Sequence, residues 1–238
     1  MKSIIAALML LLSCAGTYAQ VQTDEWGEVY EFKATVGVIG GIALINPDDI
    51  NRQLEFVNNS LDATMSPLKS MAQYSIFVKL RPKIAPYVLM RIDASTNSRK
   101  FDYSAIGMSI ANQSTGRFDI TNTTKYSNYN FCVGIGASVP KMPIDLEFGG
   151  IYAIGVITET GSVAGGSEYE YSSDGDGYGM FARLSDRLNF GQGISANLEF
   201  AYRMLTVSGF TDSRGRDMRD FSFNLSGFNA GAGPTYTF

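Results

Sequence analysis

Among the side chains that could do chemistry here, one type is missing altogether. No histidine occurs in the 238 residues, which removes serine–histidine triads, histidine metal sites and histidine pH switches together. Cysteine occurs only as Cys14 and Cys132, too few for a disulfide framework or a zinc cluster. Without a histidine or second thiol to activate it, Cys132 reads as a small interior residue rather than a nucleophile. Glu168, Glu170, Asp174 and Asp176, with Gly175 and Gly177 between them, offer oxygen ligands of the kind calcium takes. Their spacing is not that of a full calcium loop, and a solvated acidic loop is the plainer reading. Arg99, Lys100 and Arg117 could meet phosphate by charge-assisted hydrogen bonds, with ordinary loop charges as the simpler account.

A different charged set has a pattern: Glu31, Lys33, Lys79, Arg81, Arg91, Asp93, Asp145, Glu147, Arg183, Glu199 and Arg203. Each stands inside a stretch that alternates apolar and polar, the period of a strand with two unlike faces. Tyr74, Ile76, Val78 and Leu80 alternate with Gln73, Ser75, Lys79 and Arg81; Val88, Met90 and Ile92 with Arg91 and Asp93. Tyr129 to Val139 sets large apolar residues against Asn130, Cys132, Gly134, Gly136 and Ser138. Ile144 to Ile157 places Asp145 and Glu147 on its polar face, Tyr178 to Ser185 places Arg183, and Ile194 to Met204 places Glu199 and Arg203. Glu31 to Leu44 and Phe228 to Phe238 complete a count of eight strands.

The connections take turns between short and long. Pro82-Lys83, Pro140 to Pro143 and Asp186 to Gly193 are short. Long polar loops are expected over Ser95 to Lys125, Thr158 to Gly177 and Thr211 to Arg219, and the loop after the first strand carries Ile50, Leu54, Val57 and Leu61 at helical spacing. That predicts a short amphipathic helix, Asp48 to Leu61, capping one end. Phe221, Phe223 and Leu225 have the opposite parity to Phe228 onward, so a bulge near Ser226-Gly227, or projection of the upper part beyond a membrane, is expected.

Alternation with apolar residues outside and charges of both signs inside reverses a soluble lipocalin-type barrel. The expected fold is all-β, an eight-stranded antiparallel up-and-down transmembrane β-barrel with a short helix in its first long loop. An eight-stranded interior is just wide enough to be filled by side chains, so the inner charges are expected to pair and close it. Outward tyrosines at 74, 129, 152, 178, 202 and 236 have the distribution of interfacial girdles.

At the N-terminus Lys2 precedes the apolar run Ile4 to Leu12, and Thr17-Tyr18-Ala19 offers a cleavage site. Residues 1–19 therefore read as a secretory signal peptide, 20–30 as a periplasmic segment and 31–238 as the barrel. Ser13-Cys14-Ala15 also resembles a lipoprotein box, with Cys14 lipidated. A formal net charge of -4 without a basic stripe gives no nucleic-acid footprint.

In its strand pattern and its ending Tyr236-Thr237-Phe238, the chain resembles the small eight-stranded outer-membrane barrels of Gram-negative bacteria, the outer-membrane protein A and X type. The resemblance implies an outer-membrane location, contact with outer-membrane lipid and lipopolysaccharide, and a monomer. Tyr236 and Phe238 would be the assembly signal read by the barrel-assembly machinery, with Pro234 departing from the usual preference. It implies no cofactor, no metal and a structural, adhesive or surface-interaction role, with a small-solute channel or ligand-binding barrel, or a lipid-anchored or soluble exported barrel, as alternatives. The lipid-modifying enzymes on this scaffold need a histidine, so the expectation is a protein that is not an enzyme.

Overall fold

The computed structural model describes residues 22–23, 29–30, 33–61, 65–82, 86–108, 115–139, 142–163, 168–212, 214–215 and 221–238. The signal peptide, the Cys14 alternative and Glu31 fall outside them. Two short strands, β1 (Gln22–Thr23) and β2 (Val29–Tyr30), pair with each other. The rest of the chain forms β3 (Lys33–Ile45), α1 (Asp48–Leu61), β4 (Ser70–Arg81), β5 (Tyr87–Met108), β6 (Thr115–Ser138), β7 (Ile144–Val163), β8 (Glu168–Gly191), β9 (Ile194–Asp212), β10 (Phe223–Asn224) and β11 (Gly227–Thr237).

β3 to β11 make one antiparallel sheet of nine strands arranged as a ring, because β9 bonds to both β8 and β11 while β11 bonds on to β3. Hydrogen-bonded neighbours can be traced round it from Lys79 to Leu89, Gly134, Gly149, Phe181, Arg203, Gly227 and Ile45. The Ile45 N–H then donates to the carbonyl of Lys69. The circuit returns to the segment entering β4 about ten residues from its start, a stagger that tilts strands by roughly 40° in an eight-membered ring.

The two-residue β10 continues β11 along β9 without a change of register, since Asn224 opposes Thr206 and Gly227 opposes Arg203. The expected bulge is therefore absent, and the stretch before Gly227 simply continues upward along β9. Phe221, Phe223 and Leu225 face the inside, where all three are buried, and Phe228 faces out. The ladder is interrupted because Arg203 Nε takes the Leu225 carbonyl and the Ser226 hydroxyl accepts from the Leu205 N–H. Gly227 sits at φ 153 with a would-be Cβ 1.9 Å from the Leu44 carbonyl oxygen, so only glycine fits there.

Four expected connections are shorter than the sequence suggests. Most of Ser95 to Lys125 is strand, β5 and β6 pairing from Tyr87↔Gly136 to Met108↔Thr115. Thr158 to Gly177 is likewise hairpin, β7 and β8 pairing out to Ser162↔Glu168. β8 runs to Gly191, so Asp186 to Gly193 is mostly strand, and β9 reaches Asp212. Above the ring's apolar belt the outward positions of β5 to β8 turn mostly polar, so the apolar face that marks each strand in the sequence ends there.

α1 lies across the end of the ring reached by β3. Ile50 and Leu54 are buried and Val57 is half-buried, one apolar stripe. The return segment runs beside the helix on two asparagine amides: Asn51 donates to the Leu68 carbonyl (3.2 Å) and accepts its N–H (2.6 Å), and Asn58 does the same with Met65 at 2.9 and 2.7 Å. Asp49 Oδ2 accepts from the Ser222 hydroxyl (2.5 Å) and N–H (3.2 Å), pinning the helix to the approach to β10. The Ser222 hydroxyl, aided by Arg52, holds the Asp49 carboxyl below its usual range. This anchorage is present above the unfolded carboxylate pKa and is lost as pH falls through the lower folded value. Asp49→Asn is expected to raise amide exchange in α1 roughly fivefold at neutral pH, the size of an exposed charged contact. The variant should also lack the wild-type increase in exchange on acidification.

Candidate functional site

The inner wall carries the chemistry, and the stagger decides which inward residues meet. At the end away from α1, Asp145 gathers three cations and a hydroxyl. Arg81 pairs with it, Arg187 lies at 3.2 Å and Lys79 at 3.4 Å, and the Ser138 hydroxyl donates at 2.7 Å. One layer higher, Glu147 is wholly buried between Lys79 Nζ (2.5 Å), Arg183 Nη1 (2.9 Å) and the Tyr87 hydroxyl (2.8 Å). Glu199 receives both Nη groups of Arg91 at 2.6 and 2.7 Å and lies 3.9 Å from Arg183. Arg91 also reaches Asp93 and the Ser75 hydroxyl, and the Cys132 thiol lies 3.7 Å from Asp93. Arg81 lies 4.0 Å over the Tyr87 ring and Arg183 4.8 Å over that of Phe181.

Eight of the eleven sequence-selected residues thus converge in one ion-paired mass: Lys79, Arg81, Arg91, Asp93, Asp145, Glu147, Arg183 and Glu199. Arg187, which the sequence placed in a connection, joins them. Lys33 does not, being exposed at the lower end of β3. Arg203 is buried but makes no ion pair among the described residues, donating instead through Nε to the Leu225 carbonyl at 2.8 Å. The inside is also less charged than expected. Towards α1 it is filled by Ile45, Leu205, Val207, Phe210, Phe223 and Leu225 under Ile50 and Leu54. Alternation alone gave no sign of this, because those residues occupy the parity that carries charge lower down.

Glycines at inward positions make room for the aromatic rings of the plug. A Cβ at Gly136 would lie 2.3 Å from Tyr87 Cζ and 2.5 Å from its hydroxyl oxygen. Gly136→Ala must displace the ring that donates to Glu147, and is expected to lower unfolding free energy by about 1–3 kcal/mol, the overpacking range. Urea titration of the folded band on unheated gels would measure it, and an unchanged midpoint would refute the contact.

The outer wall is apolar over a defined height. Val133, Ile135, Phe148, Met180, Leu198, Phe200 and Met204 are all exposed. Tyr74, Tyr129, Tyr152, Tyr178, Tyr202 and Phe228 fall in one band on the α1 side. Neighbouring rings of this band lie close, with centroids 5.2 Å apart for Tyr152–Tyr178 and 4.9 Å for Tyr202–Phe228. Tyr236, Phe238 and Phe190 fall in a second band at the opposite end, with the Tyr236 and Phe238 rings 4.8 Å apart. The bands stand about ten residues apart along the strands, roughly 24 Å at this tilt.

Above the upper band β5 to β8 continue as two tall hairpins. Glu168, Glu170, Asp174 and Asp176 lie on one exposed outward face of β8, in a strand rather than the expected loop. Among the described residues no group of three or more His, Cys, Asp or Glu side chains could hold a metal ion. Arg99 donates to the Pro67 carbonyl at 3.2 Å, tying β5 to the segment after α1; the Arg117 side chain lies outside the described set.

No protein-family model matches the chain, and no curated protein does. Solved structures do. The attachment invasion locus protein Ail of Yersinia pestis, crystallised with the heparin analogue sucrose octasulfate, is 11% identical with a TM-score of 0.41, over 88% of this chain and 99% of that one. A major outer membrane protein from Thermus thermophilus is 10% identical with a TM-score of 0.40, over 86% and 99%. The outer membrane protein OprG from Pseudomonas aeruginosa is 12% identical with a TM-score of 0.35, over 87% and 95%.

Proposed function

We propose that this chain is a non-enzymatic, monomeric eight-stranded transmembrane barrel of a Gram-negative outer membrane. Residues 1–19 are its signal peptide, 20–30 a periplasmic segment and 31–238 the barrel, which holds the tall hairpins β5–β6 and β7–β8 outside the cell in a structural, adhesive or surface-interaction role. One observation carries the reading. The outer wall between the two aromatic bands is a continuous apolar surface, which a water-soluble monomer does not expose, and its height of roughly 24 Å matches the apolar band of outer-membrane barrels. A ring in which every long strand has two neighbours leaves no backbone edge in lipid. The ion-paired mass inside supports a closed lumen over a conducting one.

Outer-membrane lipid and lipopolysaccharide are the surrounding partners in this reading. Tyr236 and Phe238 are the assembly signal: both side chains are exposed on the outer wall, and the Phe238 N–H closes the ring by donating to the Ala34 carbonyl at 2.9 Å. The protein is expected in the outer-membrane fraction, migrating faster on unheated than on heated detergent gels, with no reproducible conductance step in planar bilayers. Recovery of the mature chain as a soluble monomer would overturn the membrane reading, and a stable unitary conductance would overturn the closed lumen.

A further inference from the structure

Between the ion-paired mass and the apolar cap the stagger brings a third layer to one height: Gln73 on β4, Ser95 on β5, Asn128 and Asn130 on β6, and Arg203 on β9. All five are 4% exposed or less. Each keeps a buried polar atom with no hydrogen-bond partner among the described residues: Gln73 Oε1, Ser95 Oγ, Asn128 Oδ1, Asn130 Nδ2 and both Nη atoms of Arg203. The wall at this height is otherwise small, with Gly41, Ala43, Ala153 and Gly179. Orphaned buried groups are uncommon and call for a partner.

The geometry points to this layer as a binding site for one small monovalent anion of halide size, held by the Arg203 guanidinium with Asn130 Nδ2 and the Ser95 hydroxyl as further donors. Charge argues for an anion rather than water alone. Among the described residues below the cap, six buried or half-buried inward cations (Lys79, Arg81, Arg91, Arg183, Arg187 and Arg203) face four carboxylates (Asp93, Asp145, Glu147 and Glu199). Arg203 alone of the six is in no ion pair, and Asp93, the carboxylate that acts on it, lies beyond ion-pair distance and is already paired with Arg91. A buried guanidinium whose one nearby carboxylate is out of contact and spent on another cation is left under-compensated, which is strongly destabilising. Water can satisfy hydrogen bonds but cannot offset that charge. The neutral amides and the nearness of the Asp93 layer favour a single negative charge over a divalent phosphate or sulfate.

The test uses the full mature chain folded in detergent micelles, with chloride titrated against gluconate at constant ionic strength. For one site present only in the folded state, the unfolding constant should fall about tenfold for each tenfold rise in chloride above the dissociation constant, and gluconate should have no such effect. Arg203→Met should abolish the chloride dependence. Because that variant can fail to fold, Asn130→Asp is the second arm: its carboxylate supplies the counter-charge in place, so the protein should stay folded and become indifferent to chloride. Crystals grown in bromide should show an anomalous peak within hydrogen-bond distance of Arg203 Nη. Equal response to chloride and gluconate, unchanged chloride dependence in folded Asn130→Asp, or no bromide at Arg203 would each overturn the site while leaving the membrane reading untouched.

Discussion

Replacing Glu147 by leucine is expected to remove about 3 kcal/mol or more of unfolding free energy, near the lower part of the 3–5 kcal/mol range for breaking one side of a buried ion pair. Glu147 is 0% exposed and accepts from Lys79, Arg183 and Tyr87 at once. Leucine has nearly the right volume, so little of the loss is a cavity. The loss comes from leaving cations desolvated and facing an apolar group. Lys79 keeps Asp145 at 3.4 Å, which places the expected effect at the lower end, whereas Arg183 keeps only a 3.9 Å contact with Glu199. The folded fraction on unheated gels across a urea series reads the change. Glu147→Leu with Arg183→Met should regain at least half of it, because exchanging both partners for apolar groups is often close to neutral. A single variant as stable as the wild type would mean that the lumen is wet enough to hydrate these groups.

Phe200→Arg is expected to cost about 1–3 kcal/mol in a bilayer, between the value for arginine at the midplane of a barrel's outer wall and the smaller one at its interfaces. Phe200 is 63% exposed and lies on the apolar outer face of β9, one outward position below Tyr202 of the upper aromatic band. In water the same change at so exposed a site should stay within about 0.5 kcal/mol. The two settings differ in size and can be separated by refolding the protein into lipid vesicles. Thr160→Arg is the control: Thr160 is exposed on the hairpin well above the upper aromatic band, and its effect should stay within about 0.5 kcal/mol. If both substitutions proved equally mild in lipid, the belt would not be a membrane surface.

Which inward residue sits opposite which was hidden by distance along the chain. Lys79 and Glu147 are 68 positions apart, as their numbers show, and they meet because each strand is displaced by a little more than one residue from its neighbour at a given height. The same stagger leaves Arg203 among amides, with Asp93 nearby but no carboxylate within ion-pair distance, although its sequence context is like that of Arg183. Phe223 and Leu225 looked like a parity conflict when every inward position was assumed polar. They are inward residues of an apolar cap, and the register along β9 never breaks.

The sequence by itself determined the two-faced strands, the identity of the outward residues, the helix Asp48–Leu61 and the candidate inner charges, because period and parity are local properties of a strand or helix. The heights of the β5–β6 and β7–β8 hairpins were not legible, since above the belt their outward positions are mostly polar and no apolar face marks the strand. Only the tertiary structure decided the ring's stagger, and with it the pairing of Asp145 and Glu147 with Lys79, the apolar cap under α1, and the layer of unpartnered groups around Arg203. Those depend on relative displacement of strands far apart in the chain, which no window of residues encodes.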